Sequence, residues 1–122
     1  MKTQSIQSRI VFPHHLNDHH TLFGGIAMQW MDEAAYITAS RYTEKKVVTV
    51  SVKEVNFISP LRSGMIADIH SKIISAGNVK LEILIEIYAE DVYSGTSQKA
   101  AYGVFTMAAV NDDMKAVRLK SE

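Results

Sequence analysis

The sequence predicts an α+β fold, one buried helix with a curved antiparallel sheet of about five strands around it. Two observations carry this. The segment from Gly24 to about Tyr42 is apolar with no wide polar face, and the segments after it alternate apolar and polar residues over long runs. A third, the shortness of the turns between those runs, makes the sheet antiparallel, because parallel strands need long crossovers.

Ser5 to Phe12 reads as a short strand with Ile6, Ile10 and Val11 apolar, ended by Pro13, which has no amide hydrogen for a ladder. His14 to Thr21 is a polar loop. Gly24-Gly25 opens the helix, and Ile26, Ala27, Met28, Trp30, Met31, Ala34, Ala35, Tyr36, Ile37 and Ala39 cover nearly every side of its wheel, so burial all round is expected. Val48, Val50 and Val52 then alternate with Thr49, Ser51 and Lys53. The apolar phase moves to the odd positions Val55 and Phe57, which predicts a β-bulge near Lys53-Glu54. Ser59-Pro60 ends that strand.

Met65 to Ser75 places Met65, Ala67, Ile69 and Ile73 on one face and Asp68, His70 and Lys72 on the other. After a Gly77-Asn78 turn, Val79 to Ala89 is the clearest strand, with Val79, Leu81, Ile83, Ile85, Ile87 and Ala89 facing one way. Ser94-Gly95 turns into Thr96 to Val110, apolar on both faces from Tyr102 onward. The tail, residues 111–122, is polar and expected to fray. One sheet covers only one side of a helix, so a second subunit is expected over the rest.

The 122 residues fit a single domain, 1–122, with no linker, repeat or low-complexity stretch. Lys+Arg and Asp+Glu both number 13, so no global positive field exists to hold nucleic acid or an anionic membrane, and neither is expected as a partner. The absence of cysteine excludes disulfides, thiolate nucleophiles and thiolate metal sites. Met1 to Ile10 has no apolar run of the kind a signal peptide carries, and no stretch is long enough to span a membrane. A cytoplasmic protein is the expectation.

Asp32 is the first candidate for chemistry, a carboxylate in a run of Met, Trp and Ala. A structural role at a helix contact is the competing reading, and Glu33 beside it could be the working carboxylate. Gly24 and Gly25 at the helix start leave backbone N–H groups open to an oxyanion; a tight helix entry would need the same glycines. Asp32 lies seven residues past Gly25, on the same helical face and about 10 Å away along the axis. That is too far for both to act on one bond within a chain. Two helices packed antiparallel across a two-fold axis close the gap, each Asp32 reaching the other subunit's glycines. Asn17, in the loop before the helix, either positions a carbonyl or water or forms a turn. The pairs His14-His15 and His19-His20 sit in one loop without a carboxylate cluster at ligand spacing, so no metal and no cofactor are expected.

The run Asn17-Asp18-His19-His20-Thr21-Leu22-Phe23-Gly24-Gly25, continued by a helix with Asp32 seven residues past the second glycine, resembles the signature of cytosolic acyl-CoA hydrolases of the hotdog superfamily. Val50 to Pro60 is similar to that family's second strand, Leu61 to Ile66 to its next turn, and Gly77 to the turn before its following strand. The likeness covers roughly Ile6 to Val110. It implies a long helix wrapped by a curved antiparallel sheet, with dimers assembled into tetramers or hexamers and active sites shared across the dimer. It implies an acyl-CoA thioesterase that releases free fatty acid and CoA. Asp32 would be general base or nucleophile, Asn17 would orient the carbonyl or the water, and the N–H of Gly24, with that of Gly25, would form the oxyanion hole. Thr21, Phe23 and Met28 are candidates for contact with substrate, and Arg62, Lys80, Lys53 and Lys99 for contact with the CoA phosphates, with ordinary surface charge the stronger reading for these four. There are two departures. His20 stands where the family usually has glycine, and Val79-Lys80 stand where small hydroxylated residues are common.

Two other readings stay open on the sequence: a hydratase or dehydratase of the same fold, with His19 or His20 as base, and a non-catalytic acyl-CoA-binding protein.

Overall fold

The computed structural model describes residues 2–119. A strand β1 (Gln4–Ile10) leads through a short 3-10 turn (Pro13–His15) to the helix α1 (Gly24–Thr43). Four strands follow, β2 (Lys46–Phe57), β3 (Ile66–Ala76), β4 (Lys80–Asp91) and β5 (Thr96–Val110). They form one five-stranded sheet in the order β1-β3-β4-β5-β2, every pair antiparallel. Each strand lies close to where the alternation placed it, β1 starting one residue earlier and ending two earlier than expected.

The concave face of the sheet carries the core. Leu81, Ile83, Ile85, Ile87 and Ala89 of β4 are all buried, as are Ala67 and Ile69 of β3 and Phe105 and Met107 of β5. They pack on Ala27, Trp30, Met31, Ala34, Ala35 and Ala39 of α1. Gly103 lets β2 and the helix approach: a Cβ there would lie 2.9 Å from Val55 Cγ2 and 3.3 Å from Met31 Cε. A buried chain of hydroxyls ties three elements together. Ser5 and Thr38 lie 2.7 Å apart, Thr38 donates to Ser71 at 2.8 Å, and Ser71 donates to the Ala34 carbonyl.

The bulge in β2 falls where the phase slip placed it. The register shifts between Lys53 and Asn56, and Glu54 takes a left-handed conformation, φ 56°. A second irregularity, between Thr49 and Ser51, turns Val50 outward.

Two expectations need correction, on the helix and on the tail. The helix is not buried all round: Gly25, Gln29, Asp32 and Tyr36 form an exposed stripe on the side the sheet does not reach, so Asp32 carries no burial cost within one chain. The apolar residues that marked β1 divide, which the sequence did not address: Ile6 and Ile10 are exposed and Val11 is buried, while Ser5 and Arg9 reach Thr38 and Glu33 of the helix. The tail does not fray through Leu119. Asn111 starts a turn, Ala116 bridges Val110, the Leu119 N–H donates to the Asn78 carbonyl, and the Leu119 side chain is buried. Two apolar residues, Val117 and Leu119, suffice to dock the segment against β5 and the end of the helix. Residues 120–122 of the expected tail lie outside the described residues.

Candidate active site

The exposed helix stripe carries two candidate half-sites. At the helix start, Phe23 occupies the N-cap position and supplies no side-chain acceptor. Most helices place Ser, Thr, Asp or Asn there. The first-turn N–H groups of Gly24 and Gly25 therefore have no capping partner among the described residues, and the helix dipole adds partial positive charge at the same place. A cavity of about 410 Å³ opens beside them, between the helix start and the end of β2, lined among others by Thr21, Gly24, Ala27, Phe57, Ser59 and Ala100.

The loop before the helix is held by Asn17. Its Oδ1 accepts the N–H groups of His19 at 2.9 Å and Thr21 at 3.2 Å, and its Nδ2 donates to Thr21 Oγ1 at 3.1 Å. This is turn-forming work, and it leaves one Nδ2 hydrogen for another acceptor. His20, the departure from the family's glycine, sits in the left-handed region with φ 64°, the conformation glycine takes freely. A residue with a side chain holds that conformation at a cost of about 1–2 kcal/mol. His15 packs edge-on against Trp30, and its Nδ1 accepts the Phe12 N–H at 3.0 Å, so the ring proton is on Nε2. Burial first, then the neighbouring His14 and Arg9, push its pKa below the usual imidazole value.

The second half-site lies two turns along α1. Thr49 of β2 donates to Asp32 Oδ1 at 2.6 Å. Glu33 is occupied elsewhere, bonded by Arg9 of β1 and by Gln29. A groove of about 400 Å³ begins at this carboxylate, lined by Asp32, Glu33, Tyr36, Ile37 and Thr49. Sequence reasoning missed Thr49. It lay on the page as one hydroxyl in an alternating strand, where polar positions usually mean a solvent-facing side.

The remaining candidates separate. Phe23 is half exposed at the helix cap, and Met28 packs on the core from its edge. Arg62 is exposed, and lines neither half-site. Lys80 is on the convex face: it shares a cross-strand row with Ala108 and Val48, whereas Leu81, Met107 and Thr49 form the row facing the helix. It cannot meet Asp32 of its own chain. Lys53 and Lys99 pair with Glu82 at 2.8 Å and Glu86 at 2.6 Å, and those carboxylates raise their pKa values. Among the described residues, no group of three or more His, Asp or Glu could hold a metal, and no helix is long and apolar enough to cross a membrane.

Residues 19–96 of the chain match the thioesterase superfamily. The chain belongs to that superfamily and has its hotdog fold. Several relatives bear the name acyl-CoA thioester hydrolase. An uncharacterized acyl-CoA thioester hydrolase of Bacillus subtilis is 28% identical over 95% of this chain and 67% of its own length. The chain spans only 30% of the cytosolic acyl coenzyme A thioester hydrolase of Rattus norvegicus, at 30% identity. The acyl-CoA hydrolase of Staphylococcus aureus, solved with butyryl coenzyme A and coenzyme A, superposes with a TM-score of 0.90 at 33% identity, covering 96% of this chain and 71% of that one. The same enzyme has been solved with alanine in place of an asparagine, an aspartate and a threonine, at intervals of 15 and 17 residues. A hexameric thioesterase of Yersinia pestis superposes at 0.89, with 30% identity over 94% of this chain and 93% of that one.

Proposed function

We propose that the protein hydrolyses the thioester of an acyl-CoA to a free carboxylic acid and CoA, in sites each built from two subunits. The observation that carries this is the division of the site. One chain holds its carboxylate and its uncapped helix start on the same exposed stripe, seven residues apart, where they cannot act on one bond.

The edge of the sheet supplies the joint. β2 has β5 on one side only, and it is long, with Val50 and Val52 exposed. An edge of this kind pairs with another strand unless something blocks it. Antiparallel pairing with its own copy about Lys53 sets Thr49 opposite the partner's Phe57. Thr49 marks the Asp32 half-site, and Phe57 packs 3.7 Å from where a Gly24 Cβ would stand. The same two-fold axis lays the two helix stripes antiparallel, so each Asp32 faces a partner's Gly24 and Gly25. Further assembly to a tetramer or hexamer is consistent with the hexameric neighbour.

In such a site the Gly24 and Gly25 N–H groups hold the carbonyl oxygen as it becomes an oxyanion. Asp32, fixed by Thr49 through Oδ1, presents Oδ2 to a water or to the carbonyl carbon. The C–S bond breaks, the thiolate of CoA leaves and takes a proton, and the acid remains. Asn17 holds the loop and offers one N–H to the substrate. The intervals from Asn17 to Asp32 and from Asp32 to Thr49, 15 and 17 residues, equal those of the substituted positions in the Staphylococcus aureus enzyme.

Free-thiol release from acyl-CoAs between acetyl and palmitoyl tests this. The native protein should turn over, and Asp32→Asn should lose about 10²–10⁴-fold in kcat. No release from any acyl-CoA contradicts the reading.

A further inference from the structure

The geometry points to the groove of Tyr36 and Ile37 as the acyl-chain subsite, making those two residues the determinants of chain-length preference. This rests on the proposed hydrolysis and adds the direction in which the substrate lies.

The two half-sites differ in chemistry. Beyond Asp32 and its Thr49 partner, the groove of about 400 Å³ has only one other charged group, Glu33. Both of that carboxylate's oxygens are bonded, by Arg9 and Gln29. What remains is the Tyr36 ring, the Ile37 side chain and the methyl of Thr49. Within one chain Tyr36 is 53% exposed, although the other large apolar residues of its helix mostly face the core, and the proposed two-fold packing closes the groove over it from the partner's side. It stands four residues past Asp32, about 6 Å farther along the helix axis, so the apolar wall starts where the carboxylate stops. The cavity beside Gly24 is more polar: among apolar neighbours such as Leu22, Ala27 and Phe57, Ser59 brings a hydroxyl and the segment from Ile58 to Leu61 brings irregular backbone. Such a wall suits the amide-bearing arm that carries the thiol, whereas an alkyl chain gains only where it is dried.

Each methylene buried in the groove should raise kcat/KM about fourfold until the groove ends. The test is kcat/KM for saturated acyl-CoAs from acetyl to palmitoyl with the native protein, Tyr36→Trp, Ile37→Trp and Ser59→Leu. Filling the groove should lower the ratio of octanoyl- to butyryl-CoA at least tenfold in both tryptophan variants. Ser59→Leu, in the other cavity, should raise KM by a similar factor at every chain length. The inference is overturned if the tryptophan variants lose all chain lengths alike, or if Ser59→Leu is the variant that selects by length. A native protein inactive on every acyl-CoA overturns the hydrolase reading and this one with it. A native protein active on them but indifferent to both tryptophans overturns this one alone.

Discussion

The hydroxyl of Thr49 donates to Asp32 Oδ1 across 2.6 Å, joining the middle of the helix to the edge strand. A hydroxyl has one hydrogen to give, and the carboxylate is a stronger acceptor than the Met107 sulfur 3.4 Å away. The contact fixes one oxygen of Asp32 and aims the other. Thr49→Ala should therefore lower kcat about 10–100-fold with little change in KM, and Thr49→Ser should restore most of it. A loss confined to KM, or no rescue by serine, contradicts a positioning role.

Leu119 ends a segment that composition alone marks as tail, yet its side chain is 2% exposed and packs with the core. Leu119→Ala should destabilise the fold by about 2–5 kcal/mol in denaturant titration. A change below about 0.5 kcal/mol would mean the docked segment contributes nothing.

Gly103 has room for no side chain. Gly103→Ala should cost about 1–3 kcal/mol, since its Cβ meets Val55 Cγ2 at 2.9 Å. Adding Val55→Ala removes that clash, so the double variant should be more stable than Gly103→Ala alone. Additive losses in the double-mutant cycle contradict the close approach.

His15 binds the Phe12 N–H through Nδ1 and has its pKa held down by burial, His14 and Arg9. The neutral ring is the folded form. Because the folded pKa is depressed, this contribution is present above the ordinary imidazole value of about 6.5 and is lost as pH falls through the unfolded and then the folded pKa. In an NMR titration the His15 ring should change charge at lower pH than in the unfolded chain. Titration at or above about 6.5 contradicts the assignment.

Where periodicity reports on burial, the sequence is readable. Val79 to Ala89 alternates because one face meets the helix, and the phase slip at Lys53-Glu54 marks a bulge because a strand cannot change face otherwise. Asp32 and the glycines stand out as candidates because a carboxylate and a glycine pair are rare in an apolar helix. Three features were not legible. Thr49 looks like any outward strand hydroxyl until the fold turns it inward. Ser5 is inward and Ile6 outward because Thr38 and Ser71 offer hydrogen bonds that no local pattern announces. Lys80 falls on the convex face because β-register, which one sequence does not display, decides which side each residue takes.

In the proposed enzyme each active site takes Asp32 from one subunit and the glycine start with its Asn17 loop from another. Mixing unfolded Asp32→Asn and Asn17→Ala chains in equal amounts, refolding, and measuring acyl-CoA hydrolysis tests it directly. If sites are shared, a mixed dimer holds one site with both changes and one with neither, so the mixture should recover about a quarter of native activity from two inactive parents. If each site lies within one chain, every site keeps a defect and the mixture stays as inactive as its parents.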